Sequence, residues 1–147
     1  MAIKKTIYLA GAMSVYYLND EYHKATQWRI DIVDQLLDDI VDECESKWAW
    51  FDPTLNSEIN FKTVNNATVL KQNIFYLDKS DIMIVNLNQL EHSPGTLFEI
   101  FYFGLQNKPI IAFGDSKWVE SPHISEYITC IIDKDEVMDY LNAMYYQ

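Results

Sequence analysis

The sequence predicts an α/β fold in which a five-stranded parallel sheet is covered by helices on both faces. Three observations indicate it. Strand-like and helix-like segments alternate, residues 81–87 are almost continuously apolar, and a glycine or a proline closes the first two strands. Parallel strands need a crossover between them, which the intervening helices supply. Five strands in this rhythm favour a single flavodoxin-like, Rossmann-like domain over residues 1–147, with strand order 2-1-3-4-5.

Each element has its own sequence signal. The expected strands are residues 3–10, 48–52, 81–87, 109–113 and 127–132. The expected helices are residues 21–45, 62–79, 93–106 and a last one that opens at Asp133 or Asp135. The first helix rests on helical spacing of Tyr22, Ala25, Ile30, Val33, Leu37, Ile40 and Val41. The second rests on a stripe of Val69, Leu70, Ile74 and Leu77, and the polar residues 54–61 predict a loop.

Composition and charge narrow the functional class. The 147 residues carry 22 acidic against 11 basic side chains, a formal net charge of −11. Such a charge repels nucleic-acid backbones and anionic membranes, so we expect neither as a partner. The apolar run within residues 1–9 is too short for a signal peptide, and Cys44 and Cys130 lie far apart. We therefore expect a cytoplasmic protein with two reduced, buried thiols.

The sequence lacks the common cofactor and metal motifs. It has no Gly-x-Gly-x-x-Gly and no phosphate-loop lysine motif, which disfavours dinucleotide and nucleoside-triphosphate enzymes. His23 and His123 have no partner at metal-ligand spacing. We expect neither a cofactor nor a bound metal.

The expected strand order nominates a binding site. In an open parallel sheet, ligands bind beyond the carboxyl ends of the strands where the strand order reverses, here between the first and third strands. The loops that follow these strands are residues 11–20 and 88–95. These two loops are the first candidates for a small-molecule site.

Glu99 has two interpretations from the residues alone. Thr96-x-x-Glu99 is the pattern of a capping box, in which two side chains satisfy free N–H groups at a helix start, and Pro94 fits the same helix start. In the other interpretation, Glu99 faces the candidate small-molecule site between these loops, and the helix-end N–H groups favour its ionised form. An ionised carboxylate can attack an anomeric carbon and form a glycosyl-enzyme intermediate.

Several short motifs occur in order along the chain. They are Ile7-Tyr8-Leu9-Ala10-Gly11, Trp28-Arg29, Phe51-Asp52-Pro53, Ser80-Asp81-Ile82-Met83-Ile84-Val85, Ser93-Pro94-Gly95-Thr96-Leu97-Phe98-Glu99-Ile100 and Lys108-Pro109-Ile110-Ile111. With these motifs at these spacings, the chain resembles the nucleoside 2-deoxyribosyltransferase family, which includes the related 2′-deoxynucleoside 5′-phosphate N-hydrolases. The resemblance covers residues 3–113 and continues more loosely to the end.

The resemblance implies roles for individual residues. Glu99 matches the family's nucleophilic glutamate, and Tyr8 matches a tyrosine whose hydroxyl holds that glutamate in place. Gly11 matches a glycine that lets the backbone approach the sugar; without the family it is an ordinary turn glycine. The other substrate-binding candidates are Ala12, Met13, Ser14, Trp28, Arg29, Ser93 and Gly95.

Some positions depart from the family's pattern, and others differ between its transferases and its hydrolases. Asn73 stands where the family usually has an aspartate that helps to protonate the leaving base, and an amide cannot donate a catalytic proton. Ser93 stands where transferases tend to have an aspartate and the phosphate-accepting hydrolases a serine. The hydrolases' Gly-Ser-x-Arg loop corresponds to residues 11–14 here, without the arginine. Arg29, the single arginine of the chain, either binds a ligand or forms a surface ion pair with nearby aspartates.

These observations favour one function and leave two rivals open. The favoured function is a deoxyribosyltransferase that passes the deoxyribosyl group from one nucleobase to another through Glu99. The rivals are a 2′-deoxynucleoside 5′-monophosphate N-hydrolase, favoured by Ser93, and a nucleotide-binding protein with weak or no turnover, favoured by Asn73. In each case the partner is a small deoxynucleoside or deoxynucleotide. The apolar, aromatic residues within 140–146 predict packing on the body or on a second subunit, and we expect a homo-oligomer.

Overall fold

The computed structural model describes residues 4–38, 40–42, 45–54 and 66–146. Its strands are β1 (Lys5–Gly11), β2 (Ile40–Asp42), β3 (Glu45–Ser46), β4 (Trp48–Phe51), β5 (Ile82–Asn86), β6 (Ile110–Phe113) and β7 (Cys130–Ile131). Its helices are α1 (Ser14–Leu18), α2 (Tyr22–Asp38), α3 (Asn66–Lys79), α4 (Pro94–Gly104), α5 (Pro122–Ser125) and α6 (Val137–Tyr145). None of the helices in these ranges is both long enough and apolar enough to cross a bilayer.

The main sheet has the topology that the sequence predicts. Its order is β4-β1-β5-β6-β7, and every neighbouring pair is parallel. Counted along the chain, these five strands have the order 2-1-3-4-5, so the predicted fold class is confirmed. Tyr8 in β1 lies opposite Phe51 of β4 on one side and Met83 of β5 on the other.

Two apolar layers hold helices on the two faces of the sheet. Side chains alternate along a strand, so Ile7 and Leu9 of β1 point to one face, and Tyr8 and Ala10 to the other. On the first face the buried helix residues are Trp28, Ile32 and Leu36 of α2 and Val137 and Leu141 of α6. On the second face they are Leu77 of α3, Ile100 and Phe103 of α4 and Ile124 of α5. All five residues of β5 are buried, as its apolar run predicts.

The first long helix is shorter than its apolar spacing predicts. α2 ends at Asp38, and β2 and β3 form a two-stranded antiparallel ribbon. Ile40 and Val41, which the spacing assigned to the helix, are β-branched and favour a strand. Asp38 also opposes the helix dipole, and no basic residue compensates it in the last turn. The helical assignment of the ribbon residues is therefore wrong.

The second long helix is confirmed over Asn66–Lys79. Residues 55–65, which include most of the predicted loop and the predicted start of this helix, lie outside the described residues, as does Cys44. The apolar stripe holds only in its second half. Leu77 is buried and Ile74 half-buried, whereas Val69 and Leu70 are exposed.

β7 is shorter than the strand predicted over residues 127–132. Tyr127 and Ile128 belong to the turn after α5, where their N–H groups donate to the carbonyls of Ile124 and Ser125. Cys130–Ile131 lies opposite Ile111 and Ala112 of β6, and the N–H groups of Thr129 and Ile132 on either side also donate to carbonyls of β6. The local bonds of the turn therefore involve the first two residues that the β-rich sequence assigned to the strand.

The aromatic end of the chain packs on the body of the protein. Tyr140 and Tyr145 contact the apolar layer between the sheet and α2. Tyr146 lies beside Trp48, with the ammonium group of Lys47 over its ring. This is one of the two arrangements that the sequence predicts. Assembly into a homo-oligomer stays a prediction.

Candidate active site

The carboxyl ends of β1 and β5 meet where the strand order reverses. Gly11, the last residue of β1, lies opposite Asn86, the last residue of β5. β1 leads into α1, and β5 leads through a 3₁₀ turn at Leu90–His92 into α4. The structure therefore brings the two loops nominated by the sequence, residues 11–20 and 88–95, to one edge of the sheet.

Glu99 and Tyr8 come together below this edge. Tyr8 points from β1 towards the face that α4 covers, and Glu99 lies in the second turn of α4. Tyr8 is fully buried and Glu99 is 8% exposed. The pKa of each group responds to the other, yet neither Tyr8 Oη nor Glu99 Oε2 completes a hydrogen bond of ordinary geometry within the protein. The Tyr8 hydroxyl therefore lies near enough to act on the Glu99 carboxyl, and Glu99 Oε2 is a candidate contact for a ligand.

Glu99 is not a helix cap. Ser93 precedes α4, Pro94 takes the first helical position as expected, and Thr96 lies inside the first turn. The side chain of Ser93 makes no capping bond. The capping-box interpretation of Thr96 and Glu99 is therefore wrong, because the helix begins earlier than that box requires.

The carboxyl group of Glu99 is a weaker acid than an ordinary glutamate. Burial raises its pKa from 4.5 to about 7, and the Tyr8 hydroxyl and the Arg29 guanidinium offset this only in part. The sequence predicts that helix-end N–H groups favour the ionised form of Glu99, whereas burial shifts its pKa the other way. The helix dipole acts mainly within the first turn of a helix, and Glu99 lies beyond that turn. Desolvation therefore has the larger effect on the pKa of Glu99. Close to pH 7 both the acid and the carboxylate are populated.

Tyr8 stays protonated throughout the neutral pH range. Burial, together with the negative charge of Glu99, raises the pKa of Tyr8 far above its usual value of 10.0. A phenol that keeps its proton is a hydrogen-bond donor. This chemistry suits the role implied by the resemblance, in which the tyrosine orients a carboxylate.

Buried polar atoms without a partner are concentrated around this edge. Among the described residues they are Tyr8 Oη, Trp28 Nε1, Ser93 Oγ, Glu99 Oε2 and Asn142 Oδ1. Leaving such an atom unpaired costs about 1–3 kcal/mol, so each one requires an explanation. Four of the five belong to residues that the sequence nominates for the site. Each of these four atoms is therefore a candidate contact for a polar ligand.

Gly11 leaves room for the indole of Trp28. A Cβ atom at Gly11 would lie 2.8 Å from Cζ2 of Trp28 and 3.4 Å from Cβ of Asn86. Gly11 does not adopt a positive φ, so its requirement for glycine comes from this close approach and not from a turn. Trp28 is held there by an edge-on contact with Phe113 at 5.3 Å between ring centroids. Its unpaired Nε1 therefore lies close to the end of β1.

Arg29 is buried at the base of the site. It is 0% exposed, and its guanidinium donates to the carbonyls of Leu9 (3.4 Å), Ala25 (2.5 Å) and Gly11 (3.1 Å). Its Nε also lies 3.5 Å from Oδ1 of Asp52. The interpretation of Arg29 as part of a surface ion pair is therefore wrong. Its donors tie α2 to the carboxyl end of β1.

The remaining nominated residues differ in exposure. Ser93 is 7% exposed with an unpaired hydroxyl, whereas a Cβ at Gly95 would point into open space. In the loop after β1, Ala12 is buried, Met13 half-buried and Ser14 exposed. Ser93 thus offers a hydrogen-bonding group, and Gly95 offers open space at the same helix start.

Asn73 lies half-buried in the middle of α3. One turn later Tyr76 stacks on Phe51, with ring centroids 3.7 Å apart, and Phe51 lies 5.5 Å from the ring of Tyr8. Residues one turn apart share a helix face, and α3 runs from the carboxyl edge of the sheet towards its amino edge. Asn73 is therefore on the side of the sheet that carries Tyr8 and Glu99, nearer the carboxyl edge than the stacked pair.

Sequence reasoning names Asp52 only as part of a motif and assigns it no role. In the structure it is 7% exposed and accepts hydrogen bonds from the N–H (2.9 Å) and the hydroxyl (2.6 Å) of Thr54, beside Arg29. The available signal was its position directly after a strand, at the edge where the site forms.

The chemical groups at the edge suit an uncharged polar ligand. They are a carboxyl, two hydroxyls and an indole N–H, from Glu99, Tyr8, Ser93 and Trp28. Within the described residues, no three His, Cys, Asp or Glu side chains come close enough together to hold a metal ion.

Two solved structures share this architecture along almost the whole chain. The 2-deoxyribosyltransferase from Bacillus psychrosaccharolyticus is 19% identical, with a TM-score of 0.66 over 92% of this chain and 91% of that one. The 2-deoxyribosyltransferase from Leishmania mexicana is 17% identical, with a TM-score of 0.58 over 96% and 99%. No protein-family model and no curated protein matches the sequence. The chain therefore has the fold of the 2-deoxyribosyltransferases, as the resemblance of its motifs implies.

Proposed function

We propose that the protein cleaves the N-glycosidic bond of 2′-deoxynucleosides through Glu99 and transfers the deoxyribosyl group to another nucleobase. One observation carries the proposal. Glu99 and Tyr8, the residues matched to a nucleophile and its orienting tyrosine, lie buried together with unpaired oxygen atoms. They do so at the switch point of a fold shared with two 2-deoxyribosyltransferases.

In the first step, a carboxylate oxygen of Glu99 attacks C1′ of the deoxyribose. The bond from C1′ to the base nitrogen breaks, and its electron pair leaves with the base. Tyr8, still protonated, donates a hydrogen bond that holds the attacking carboxylate in position. The departing base takes its proton from solvent, because Asn73 has no acidic proton to give. The products are a deoxyribosyl ester of Glu99 and a free base.

In the second step, a nitrogen of the acceptor base attacks C1′, the ester bond from C1′ to Glu99 breaks, Glu99 leaves as a carboxylate, and the proton that the acceptor base loses passes to solvent. Two displacements at the same carbon retain the anomeric configuration. When water attacks in place of a base, the product is free deoxyribose. With a pKa of about 7, a large share of Glu99 is ionised and able to attack at neutral pH, and the carboxylate that leaves in the second step is populated at the same pH.

The other nominated residues bind and frame the substrate in this proposal. Trp28 Nε1 and Ser93 Oγ are the unpaired polar groups available to substrate oxygen atoms. Asn73 hydrogen-bonds the base from α3. The backbone of residues 11–14 and the space at Gly95 let the sugar approach closely, and Arg29 supports this loop from below.

A 2′-deoxynucleoside 5′-monophosphate N-hydrolase is the second candidate, because Ser93 matches that branch and its hydroxyl is buried and unpaired. Two observations favour the transferase instead. Residues 11–14 lack the arginine of the hydrolases' phosphate loop, and the donors of Arg29 are engaged by main-chain carbonyls.

One assay separates the candidates. The release of free base is measured by chromatography from a deoxynucleoside and from its 5′-monophosphate, each with and without a second base. A new nucleoside formed from the unphosphorylated substrate supports the transferase. Release of free base that requires the 5′-phosphate and does not change when a second base is added supports the hydrolase. Binding without any release supports the nucleotide-binding protein and overturns both enzymes.

The role of Glu99 is tested by substitution. Glu99→Ala and Glu99→Gln should lower base release by on the order of 10³-fold or more while the protein stays folded. The matched control is Glu126→Gln, since Glu126 is exposed on the turn after α5. Normal turnover in Glu99→Ala would overturn the mechanism.

A further inference from the structure

A buried ion pair lies behind the candidate site. The Nε of Arg29, which is fully buried, is 3.5 Å from Oδ1 of Asp52, which is 7% exposed. The same Asp52 oxygen accepts from the N–H and the hydroxyl of Thr54. In buried pairs of this kind desolvation offsets much of the attraction, so stability alone is a weak reason for their presence.

The pair is attached to β1, the strand that carries Tyr8, and to the neighbouring strand β4. Arg29 donates to the carbonyls of Leu9 and Gly11, which follow Tyr8 in β1. Asp52 follows Phe51, the β4 residue opposite Tyr8. The guanidinium therefore bridges the carboxyl ends of β1 and β4 next to the strand position that carries Tyr8.

We propose that Arg29 and Asp52 are positioning residues. Their ion pair holds the carboxyl ends of β1 and β4 together and sets the fraction of Glu99 that is ionised at neutral pH. The inference rests on the proposed function only in taking Glu99 as the nucleophile. The ion pair does not touch the substrate; it acts through the charge and the position of the Glu99 carboxylate.

The positive charge of Arg29 is shared between two carboxyl groups. It lowers the pKa of Glu99, which burial raises. Burial lowers the pKa of Arg29 itself, and the charges of Asp52 and then Glu99 oppose that effect. Because Asp52 already balances the guanidinium, the attraction left for Glu99 is reduced. Removing the charge of Asp52 should therefore strengthen the hold of Arg29 on the Glu99 carboxylate.

Other titratable groups around α4 are engaged elsewhere or face solvent. On the elements packed against α4 these groups are Lys5 and Tyr8 on β1, Lys71, Tyr76, Asp78 and Lys79 on α3, Glu91 and His92 on the turn before α4, and Tyr127 on the turn after α5. Lys5 donates to the carbonyl of Tyr145, and Lys71 is exposed. Asp78 accepts from Tyr102 at 2.6 Å, Glu91 accepts from Ser116 at 2.7 Å, and His92 is exposed. β6 carries no titratable side chain. Of the groups in the described residues, Tyr8 and Arg29 are those that act on Glu99.

The two partners of the pair make opposite predictions. Arg29→Met removes the positive charge, so the titration midpoint of Glu99 should rise by about one pH unit. Asp52→Asn keeps the hydrogen-bond acceptor for Thr54 and removes the negative charge, so the midpoint should fall by about half a pH unit. Arg29→Lys keeps the charge and should restore the wild-type midpoint even where it lowers stability.

The matched control is Asp31→Asn. Asp31 lies on the same helix as Arg29 and pairs with Lys134 at 3.0 Å, about one-third exposed. The substitution makes the same change in charge as Asp52→Asn, but on the solvent side of α2. It should leave the midpoint of Glu99 unchanged.

The midpoint is read by nuclear magnetic resonance of protein labelled with ¹³C at the glutamate carboxyl carbon. Glu99→Gln identifies the signal, and the acid limb of kcat/KM gives a second reading. Shifts of opposite sign in Arg29→Met and Asp52→Asn support the inference. Shifts of the same sign, or none in Asp52→Asn, overturn it. Should Arg29→Met not fold, a downward shift in Asp52→Asn with a wild-type midpoint in Arg29→Lys supports it. The absence of base release by the wild-type protein would instead overturn the proposed function, and the titration would still decide on the ion pair.

Discussion

The burial of Glu99 predicts how the stability of the protein depends on pH, without any substrate. The pKa of Glu99 is about 7 in the folded protein, against an ordinary value of 4.5. Between these two pH values the folded state keeps a proton that the unfolded chain releases. The stability that this group contributes is fully present below about pH 4.5 and is lost as the pH rises through 7.

The size of the effect follows from the same two values. A pKa that rises from 4.5 to about 7 corresponds to about 3 kcal/mol, at about 1.4 kcal/mol per pH unit. This is a large part of the roughly 5–15 kcal/mol that stabilises a typical domain. Glu99→Gln keeps the shape of the side chain and has no proton to release. Relative to the variant, the wild-type protein should therefore lose about 3 kcal/mol between pH 4 and pH 8.

The assay is urea unfolding of both proteins at several pH values, with Glu126→Gln as the exposed control. Only the difference between the proteins is used, so other titrating groups cancel. A difference that does not change with pH would show that the Glu99 carboxyl is not desolvated. If the wild-type protein instead becomes more stable than Glu99→Gln as the pH rises, the pKa of Glu99 is lowered in the folded protein, as expected for a helix cap. That result would refute the reasoning.

Three further substitutions test the geometry of the site. Tyr8→Phe removes a hydroxyl that lowers the pKa of Glu99, so the acid limb of kcat/KM should rise by about one pH unit. Activity at pH 7 should then fall about fivefold and recover near pH 9, and an unshifted limb would contradict the contact. Gly11→Ala places a Cβ 2.8 Å from the Trp28 ring, so urea unfolding should show a loss of about 1–3 kcal/mol and KM should rise. Unchanged values would refute that close approach. Asn73→Asp should raise base release, by less than the roughly 10²- to 10⁴-fold of a well-placed acid, with a gain that grows towards acidic pH until Glu99 is protonated. A rate that stays equal or falls would make Asn73 a base-recognition residue.

The fold could be predicted because its signals are local. The apolar run of β5 and the alternation of strands with helices identify a parallel sheet without knowledge of any contact. Ile40 and Val41 were assigned wrongly because their spacing fits a helix, while their pairing with another segment decides the outcome. Tyr127 and Ile128, which the sequence assigns to the last strand, instead form the hydrogen bonds of a turn.

The candidate site was located by topology, but its electrostatics could not be predicted from the sequence. The loops after β1 and β5 follow from the strand order alone. The ionisation of Glu99 depends on how completely α4 buries it, which no spacing reports. Arg29 is near several aspartates in sequence and therefore resembled a surface residue, whereas its donors fit three main-chain carbonyls inside the fold.

The central claim is that Glu99 becomes covalently attached to the sugar. Its most direct test is mass spectrometry of protein mixed with a deoxynucleoside and quenched in acid during turnover. The account predicts a mass increase of one deoxyribosyl group, on the peptide that contains Glu99, and its absence in Glu99→Gln. Turnover with no adduct, or with the adduct on another residue, would contradict the account.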